Sequence, residues 1–313
     1  MPRAFLAHRG LLFRRHMSAP RSAGKPLGDV MRKTRALALL LVLSAVLVVG
    51  GQGGSTALAV GRHSGVSTAT AKKKGISAWE FQGVNKALAD VKAGWFYTWS
   101  SGKGRIKPPR GVEFVPMIHD ADSVTGAELD RAKKQGSTLL GFNEPDRPDQ
   151  AHMTVHRALE LWPRLQSTNM RLGAPAVATG GDVTGGWLDR FMKGAAARHY
   201  RVDFIPLHWY GADFNARRAT GQLRSYLQAV HQRYKKPIWL TEYALTDFSS
   251  GTPRYPTKAQ QAAFVKKSTA MLQQLPYVKR YAWFTLSTNR GDETGLYHGA
   301  KANRVGAAYR AAG

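Results

Sequence analysis

The sequence predicts an α/β fold, a (β/α)8 TIM barrel. From residue 76 onward, eight short apolar runs with the character of strands alternate with longer amphipathic segments. Near-continuous apolar strands indicate a parallel sheet that is covered on both faces. The stretch from 76 to 313 is also close to the usual barrel length of ~250 residues. An open doubly wound sheet is the alternative, but no glycine-rich phosphate fingerprint follows an early strand.

The predicted elements follow one another in strict alternation. The strands are 76–81, 94–99, 113–118, 138–143, 171–176, 203–210, 237–242 and 280–286. The helices between them include 125–135, 154–166, 186–197, 219–234 and 257–274. In a barrel of this kind, the residues at the carboxyl ends of the strands meet at one rim, where barrel enzymes carry their active sites.

The first 59 residues are predicted to be a basic lead-in and a signal peptide. Residues 36–49 form a 14-residue apolar run, which is short for a spanning helix of ~20 residues. Basic residues at 32–35 precede this run, and Ala-Leu-Ala at 57–59 offers a cleavage site. We expect secretion, without stable membrane insertion once the signal is removed. An uncleaved anchor is the alternative.

Residues 60–75 are predicted to be a flexible linker, because they are polar, aperiodic and rich in glycine, serine and threonine. The remaining residues, 76–313, form a single catalytic domain in this interpretation. The chain contains no cysteine, which excludes disulfides, thiolate metal sites and thiol nucleophiles. Packing alone must therefore hold the domain together.

The net charge of +26 favours polyanionic partners. The basic residues are scattered, the only dense run is at 72–74, and no nucleic-acid-binding motif is present. We therefore expect a solvated basic surface and no nucleic-acid binding. Electrostatic association with an anionic cell wall is compatible with this charge, and we expect a monomer.

Two glutamates lie where a buried strand meets the predicted rim. Glu144 follows the fourth strand in the segment LLGFNEPD, and Glu242 ends the seventh in PIWLTEYA. Paired carboxylates carry out glycoside hydrolysis, since one protonates the leaving oxygen while the other attacks carbon or activates water. The sequence therefore indicates a carbohydrate-active site with Glu144 and Glu242 as its catalytic residues.

The same strand ends supply groups that suit the recognition of a sugar. Aromatic faces stack on the pyranose ring, and amide and imidazole groups bind the hydroxyls. The candidate substrate-binding residues are Tyr97, Trp99, His119, Asn143, His208, Tyr210 and Trp283. No cofactor is expected. A metal is not expected either, because no second histidine has ligand spacing to His119 and its neighbouring aspartates.

Seven segments together resemble the Asl1-like glycosyl hydrolase catalytic core, glycoside hydrolase family 128, of clan A. They are WFYTW, EFVPMI, LLGFNEPD, LGAPAV, DFIPLHWYG, PIWLTEYA and YAWF, in this order between residues 95 and 284. The resemblance implies endo-acting hydrolysis of β-1,3-glucan with retention of configuration. By position in the motifs, it implies that Glu144 is the acid/base and Glu242 the nucleophile. The segment ISAWEFQG at the first strand does not fit the family pattern well.

Three alternatives stay open at this stage. The chain could be another clan A polysaccharide hydrolase, of the mannanase or xylanase type. It could also be a non-catalytic cell-wall barrel that binds sugar, although such a protein would not need both glutamates. The third alternative is a basic structural protein that associates with the cell wall or with nucleic acid. Such a protein would not need the rim of aromatic and carboxylate side chains.

Overall fold

The computed structural model describes residues 73–288 and 293–312. The predicted lead-in, signal peptide and nearly all of the linker lie outside the described residues. The barrel strands are β1 (Lys74–Ser77), β2 (Trp95–Tyr97), β3 (Glu113–Phe114), β4 (Thr138–Leu139), β5 (Arg171–Leu172), β6 (Ile205–Gly211), β7 (Ile238–Leu245) and β8 (Val278–Trp283). The helices are α1 (Val84–Asp90), α2 (Gly126–Gln135), α3 (Val155–Gln166), α4 (Trp187–Ala197), α5 (Ala216–Tyr234), α6 (Lys258–Gln274) and α7 (Arg304–Ala311).

The eight strands form a closed parallel barrel. Six of them pair in the order β3-β2-β1-β8-β7-β6, and β4 pairs with β5. Parallel bridges from Met117 to Leu140 and from Gly173 to Phe204 connect this pair to β3 and β6. The predicted fold is therefore confirmed. Within the described chain, the connection from β2 to β3 is the one that carries no helix.

The predicted helices begin at most three residues from their observed starts. Thr125, Thr154 and Thr257 each accept a backbone hydrogen bond and act as N-caps of α2, α3 and α6. Asn215 caps α5 in the same way, so this helix starts at Ala216 rather than at the predicted 219. A capping residue satisfies backbone N–H groups that have no partner inside the helix.

Regular pairing in β3, β4 and β5 spans two residues each, against the six that the sequence predicts. Beyond these short ladders, the chain continues extended and meets its neighbours only through isolated bridges. Pro116 and Pro175 lie in these continuations, and proline has no N–H group to donate to a ladder. Gly141 allows the two backbones to approach here, because a Cβ atom at this position would lie 2.8 Å from the carbonyl oxygen of Gly173.

Alternate side chains of each strand point to opposite sides of the barrel wall. The inward side chains form a core within the barrel: Trp95, Tyr97, Val115, Met117, Leu140, Phe204, Trp239 and Ala282. The outward side chains pack against the surrounding helices. For example, the ring of Tyr243 lies 6.1 Å from that of Phe264 on α6. This division decides which strand residues can reach the rim.

The lysine run at 72–74, which the sequence presents as part of a solvated surface, is partly structural. Lys74 is 4% exposed, and its ammonium group donates to the carbonyl groups of Tyr309, Arg310 and Ala312 at the end of α7. Lys73 donates to the carbonyls of Leu272, Gln273 and Leu275 at the end of α6. Cations at a helix carboxyl end satisfy its free carbonyl groups. The barrel therefore begins at Lys74, and the linker predicted to reach residue 75 ends earlier.

Among the described residues, no helix combines the length and apolar character needed to cross a membrane. The apolar run at 36–49 is not among them.

Candidate active site

Glu144 lies in a tight turn directly after the extended segment that continues β4. Its φ of 42° is in the left-handed region, which costs a residue other than glycine about 1–3 kcal/mol. Hydrogen bonds hold the turn: the Glu144 N–H donates to Ala176 O at 2.7 Å, and the Arg147 N–H donates to Glu144 O at 3.0 Å. The side chain is 1% exposed. The turn thus places a buried carboxyl group at the barrel rim.

Glu242 lies inside β7 rather than at its end, which corrects the predicted boundary. Leu207 pairs with Leu240 and His208 pairs with Glu242, so Thr241 is an extra residue in β7 and forms a β-bulge. Without this bulge, strand alternation would place Glu242 on the side that faces the helices. With it, Glu242 points to the barrel axis and Tyr243 packs outward. Bulges beside active sites commonly re-aim side chains in this way.

Two donors bind the Glu242 carboxylate, and a third hydroxyl group lies beside it. The Trp99 indole N–H donates to Oε1 at 2.8 Å, and the Tyr210 hydroxyl donates to Oε2 at 2.6 Å. The Tyr97 hydroxyl donates to Thr241 O at 3.0 Å and lies 3.4 Å from Oε1. Burial, together with the charge of Glu242, raises the pKa of Tyr97 far above its usual value, so its phenol keeps its proton. These donors stabilise negative charge on Glu242 and hold its carboxylate in one orientation.

His208 lies between the two glutamates. Its Nδ1 is 2.8 Å from Glu144 Oε1, and its Nε2 is 3.7 Å from Glu242 Oε1. One carboxylate oxygen of Glu144 and one of Glu242 lie within 4.8 Å of each other. The two carboxyl groups therefore have different surroundings. Glu242 accepts hydrogen bonds from Trp99 and Tyr210, whereas Glu144 contacts the His208 imidazole and lies near the Arg147 guanidinium.

Glu144, His208 and Glu242 could in principle attract a metal cation. A zinc ion needs its ligand atoms about 2.0–2.2 Å from one point, and His208 Nδ1 already takes part in the hydrogen bond to Glu144. The contacts within the cluster are explained by pairing of its own side chains. We assign no metal to it.

Asn143 lies directly before Glu144 and is 1% exposed. Its Nδ2 donates to Gln150 Oε1 at 3.2 Å, which orients the amide. Its Oδ1 is buried and has no hydrogen-bond partner among the described residues. A ligand hydroxyl at the rim is therefore a suitable donor to this oxygen.

The aromatic wall of the site contains two residues that are not among the candidate substrate-binding residues named from the sequence. Trp79 stacks on Trp99 with ring centroids 5.9 Å apart, and Phe284 meets Trp99 edge-on at 5.8 Å. Phe284 also meets Tyr210 edge-on at 5.8 Å. Trp79 lies in ISAWEFQG, the segment that fits the family pattern poorly. Alternation along β8 is the signal that would have identified Phe284.

Trp283, predicted to bind substrate, is not part of this wall. It is fully buried on the outer side of β8, where its ring lies 5.0 Å from Tyr243 and 6.1 Å from Tyr309. Its indole N–H donates to Thr294 O at 2.8 Å. Arg280, Ala282 and Phe284 point inward, so Trp283 must point outward. The prediction was wrong because it rested on the residue type alone. It did not consider which side of the barrel wall the alternation along β8 assigns to position 283.

His119 follows β3 and is buried, with its Nδ1 3.2 Å from Asp120 Oδ2. Burial acts to raise the pKa of Asp120, but hydrogen bonds from His119 and Ser123 outweigh this effect and lower the pKa to about 2. The carbonyl of His119 accepts the N–H of Asn143 at 2.9 Å, which places it on the strand beside the Glu144 turn. His119 is thus at the rim, bound to Asp120.

The family model described as glycosyl hydrolase catalytic core matches residues 76–309. Alkali-sensitive linkage protein 1 of Schizosaccharomyces pombe is 30% identical over 219 residues, which are 68% of this chain and 37% of that protein. The chain thus spans little more than a third of the length of that curated relative.

Two solved structures resemble the chain over most of the described residues. One is a GH128 subgroup I endo-β-1,3-glucanase from Amycolatopsis mediterranei in complex with laminaritriose. It is 66% identical with a TM-score of 0.76, and the match covers 77% of this chain and 100% of that one. The other is a subgroup II endo-β-1,3-glucanase from Sorangium cellulosum, 27% identical with a TM-score of 0.64, covering 77% and 98%.

Proposed function

We propose that this chain, which belongs to the glycosyl hydrolase catalytic core family, cleaves β-1,3-glucan within the polymer and retains the anomeric configuration. The observation that carries the proposal is the separation of Glu144 and Glu242, whose carboxylate oxygens lie within 4.8 Å. Retaining glycosidases hold their two carboxyl groups ~5–5.5 Å apart, whereas inverting enzymes need ~6.5–9.5 Å to admit a water molecule. The substrate follows from the 66% identity to an endo-β-1,3-glucanase with bound laminaritriose.

The surroundings of the glutamates support their separate roles. Glu242, stabilised as a carboxylate by Trp99 and Tyr210, attacks the anomeric carbon and forms a glycosyl-enzyme. Glu144 gives its proton to the leaving oxygen and then takes a proton from the water that cleaves the intermediate. Asn143 Oδ1 accepts from the sugar 2-hydroxyl, a contact that strengthens in the transition state.

The function is tested by digesting defined β-1,3-, β-1,4- and β-1,6-linked glucans and sizing the products. We expect cleavage of the β-1,3-linked polymer to a ladder of oligosaccharides, with proton NMR showing the β-anomer first. Release of glucose alone would indicate exo action. Cleavage of only the β-1,4-linked polymers would favour a mannanase-type or xylanase-type relative, and no cleavage would favour a binding protein.

Secretion is part of the proposed function, motivated by the apolar run at 36–49 and the Ala-Leu-Ala site at 57–59. We expect the extracellular protein to begin at Val60 or a residue close to it. Amino-terminal sequencing of protein from the culture medium checks this. Recovery of full-length material from the membrane fraction alone would show an uncleaved anchor instead.

Association with an anionic cell wall is supported by the amino end of the barrel, opposite the rim. The acidic residues at this end each pair with an arginine: Asp90 with Arg310, Glu113 with Arg280 and Asp203 with Arg201. Four further cations lie at or just before the starts of β3, β7 and β8 and form no salt bridge among the described residues: Arg110, Lys235, Lys236 and Lys279. Burial and the charge of Lys279 lower the pKa of Lys73, which shows that like charges lie close together here.

Charge at this end should govern retention on wall material and not catalysis. We expect replacement of Lys235, Lys236 and Lys279 by glutamine to weaken retention on anionic wall polymer, because a polyanion is held by this excess of cations. Replacing Lys266 and Lys267 on α6, together with Arg217, is the control for an equal loss of charge. Retention by the unmodified protein should also fall between 0.01 M and 0.1 M salt, as the Debye length contracts from ~30 Å to ~10 Å.

Hydrolysis of a short neutral oligosaccharide should change little over the same range, since the substrate carries no charge. Strong salt inhibition of this reaction in the folded protein would instead indicate an anionic substrate.

A further inference from the structure

A guanidinium group lies beside the catalytic acid. Arg147 Nε is 3.6 Å from Glu144 Oε2, and the arginine side chain is 12% exposed. A positive charge at this distance stabilises the ionised form of a carboxyl group. An acid that must deliver a proton is therefore placed next to a group that opposes its protonation.

Asp149 occupies the other side of the same guanidinium. Its Oδ1 accepts from Arg147 Nε at 3.1 Å, and its Oδ2 accepts from Nη2 at 3.2 Å. A bidentate pair of this kind fixes the plane of the guanidinium. The aspartate also supplies a negative charge, which offsets the positive charge that Glu144 experiences.

All three residues belong to one short loop with its own hydrogen bonds. The Arg147 N–H donates to Glu144 O at 3.0 Å, and the Gln150 N–H donates to Arg147 O at 3.3 Å. Because the loop fixes the backbone, the side chains of Arg147 and Asp149 hold a constant position relative to the acid. The spacing Glu-x-x-Arg-x-Asp at 144–149 thus brings all three side chains into one loop.

Other ionisable groups also lie near Glu144, on several elements. They are Tyr97 on β2, His208 and Tyr210 on β6, Glu242 on β7, the His119–Asp120 pair after β3, and Asp146 in the same loop. Burial raises the pKa of Asp146, and the charge of Glu144 adds to this effect. The ion pairs that Arg147 forms are with Glu144 and Asp149, both in its own loop.

We propose that Asp149 is a positioning residue that holds Arg147 and offsets its charge, so that Glu144 carries the proton needed by the leaving group. This inference rests on the proposed acid/base role of Glu144. Loss of Asp149 leaves the arginine charge uncompensated beside the acid. Loss of Arg147 leaves a second negative charge near it. The two changes must therefore move the protonation of Glu144 in opposite directions.

The test is the pH dependence of kcat/KM for a β-1,3-linked oligosaccharide in Asp149→Asn, Arg147→Gln and the double variant. The alkaline limb reports loss of the proton from the acid of the free enzyme. We expect Asp149→Asn to move this limb to lower pH by roughly one unit, since a neighbouring cation favours the carboxylate. Arg147→Gln should move it to higher pH, and the double variant should lie near the unmodified enzyme. Asp149→Glu, which keeps the charge, should restore the limb.

Two further measurements separate tuning from a structural role. Asp203→Asn removes the acid of the similarly spaced Arg201–Asp203 pair at the opposite end of the barrel and should leave the limb unchanged. A ¹³C NMR titration of glutamate-labelled protein, with the Glu144 signal assigned by its loss in Glu144→Gln, follows the same proton without turnover. If the unmodified protein cleaves no glucan, the proposed function fails, and the NMR midpoints still decide this inference.

The inference is overturned if the limb and the NMR midpoint stay in place or rise in Asp149→Asn. A uniform loss of activity at every pH, without movement of the limb, also overturns it. Should Asp149→Asn not fold, Arg147→Gln decides alone, and an unchanged or lower midpoint in that variant contradicts the proposal.

Discussion

Glu242→Ala is expected to reduce glucan hydrolysis by roughly 10⁵-fold or more, the scale at which enzymes lose activity without their nucleophile. Among the residues that the structure describes, the carboxylate that Trp99, Tyr210 and Tyr97 orient is the group placed to attack carbon opposite the acid, and alanine removes it. We expect azide to fill the vacated space and to restore cleavage of an activated aryl glycoside. The product is the α-glycosyl azide, because a single displacement inverts the configuration. Product stereochemistry is measured by proton NMR.

The control for Glu242→Ala is Glu160→Gln, which removes an exposed carboxylate from α3. It should leave both rate and stereochemistry unchanged. Retention of substantial glucan hydrolysis by Glu242→Ala, in protein with an unchanged circular dichroism spectrum, would remove Glu242 from the role of nucleophile.

Glu144→Ala is expected to show a different pattern of loss. Glucan hydrolysis should fall by about 10²–10⁴-fold, the usual contribution of a general acid. An aryl glycoside with a good leaving group needs no proton, so it should still glycosylate Glu242 and give a burst followed by slow turnover. Azide should now accelerate breakdown of the intermediate and give the β-glycosyl azide, with configuration retained. Rapid-mixing kinetics and NMR of the product measure both effects.

The azide products make the two assignments separable. If both variants gave the same anomer, the roles of Glu144 and Glu242 would not be those proposed. If the burst were absent in Glu144→Ala with the activated substrate, loss of the proton donor would not be the cause of the slow glucan reaction.

Much of the fold followed from local patterns. Apolar runs alternating with amphipathic segments predict strands and helices wherever they occur in a chain, and all eight predicted strands correspond to observed ones. Their lengths did not follow, because the ladder also depends on the neighbouring strand. For example, Pro116 and Pro175 lie just beyond the two paired residues of β3 and of β5, and they interrupt the regular pairing there.

In the site, too, some positions follow from local sequence and others do not. Glu144, Asn143 and the Arg147–Asp149 pair belong to one loop, so their neighbourhood is encoded within a few residues of sequence. Trp283 and Phe284 are also adjacent, yet one packs in the outer core and the other lines the rim. The two side chains point to opposite sides of the barrel wall because they are adjacent along a strand. The residue type alone does not reveal which side each of them faces.

The alternation of apolar runs with amphipathic segments predicts the barrel, and the segments around Glu144 and Glu242 indicate a two-carboxylate site for glycoside hydrolysis. How Glu242 reaches Glu144 depends on the pairing of strands that are distant in the chain. A single extra residue at Thr241 turns Glu242 to the barrel axis, and His208 from the neighbouring strand then bridges the carboxyl groups. The physical reason is that side chains alternate along a strand with a period of two, so one inserted residue reverses the side to which every later residue points.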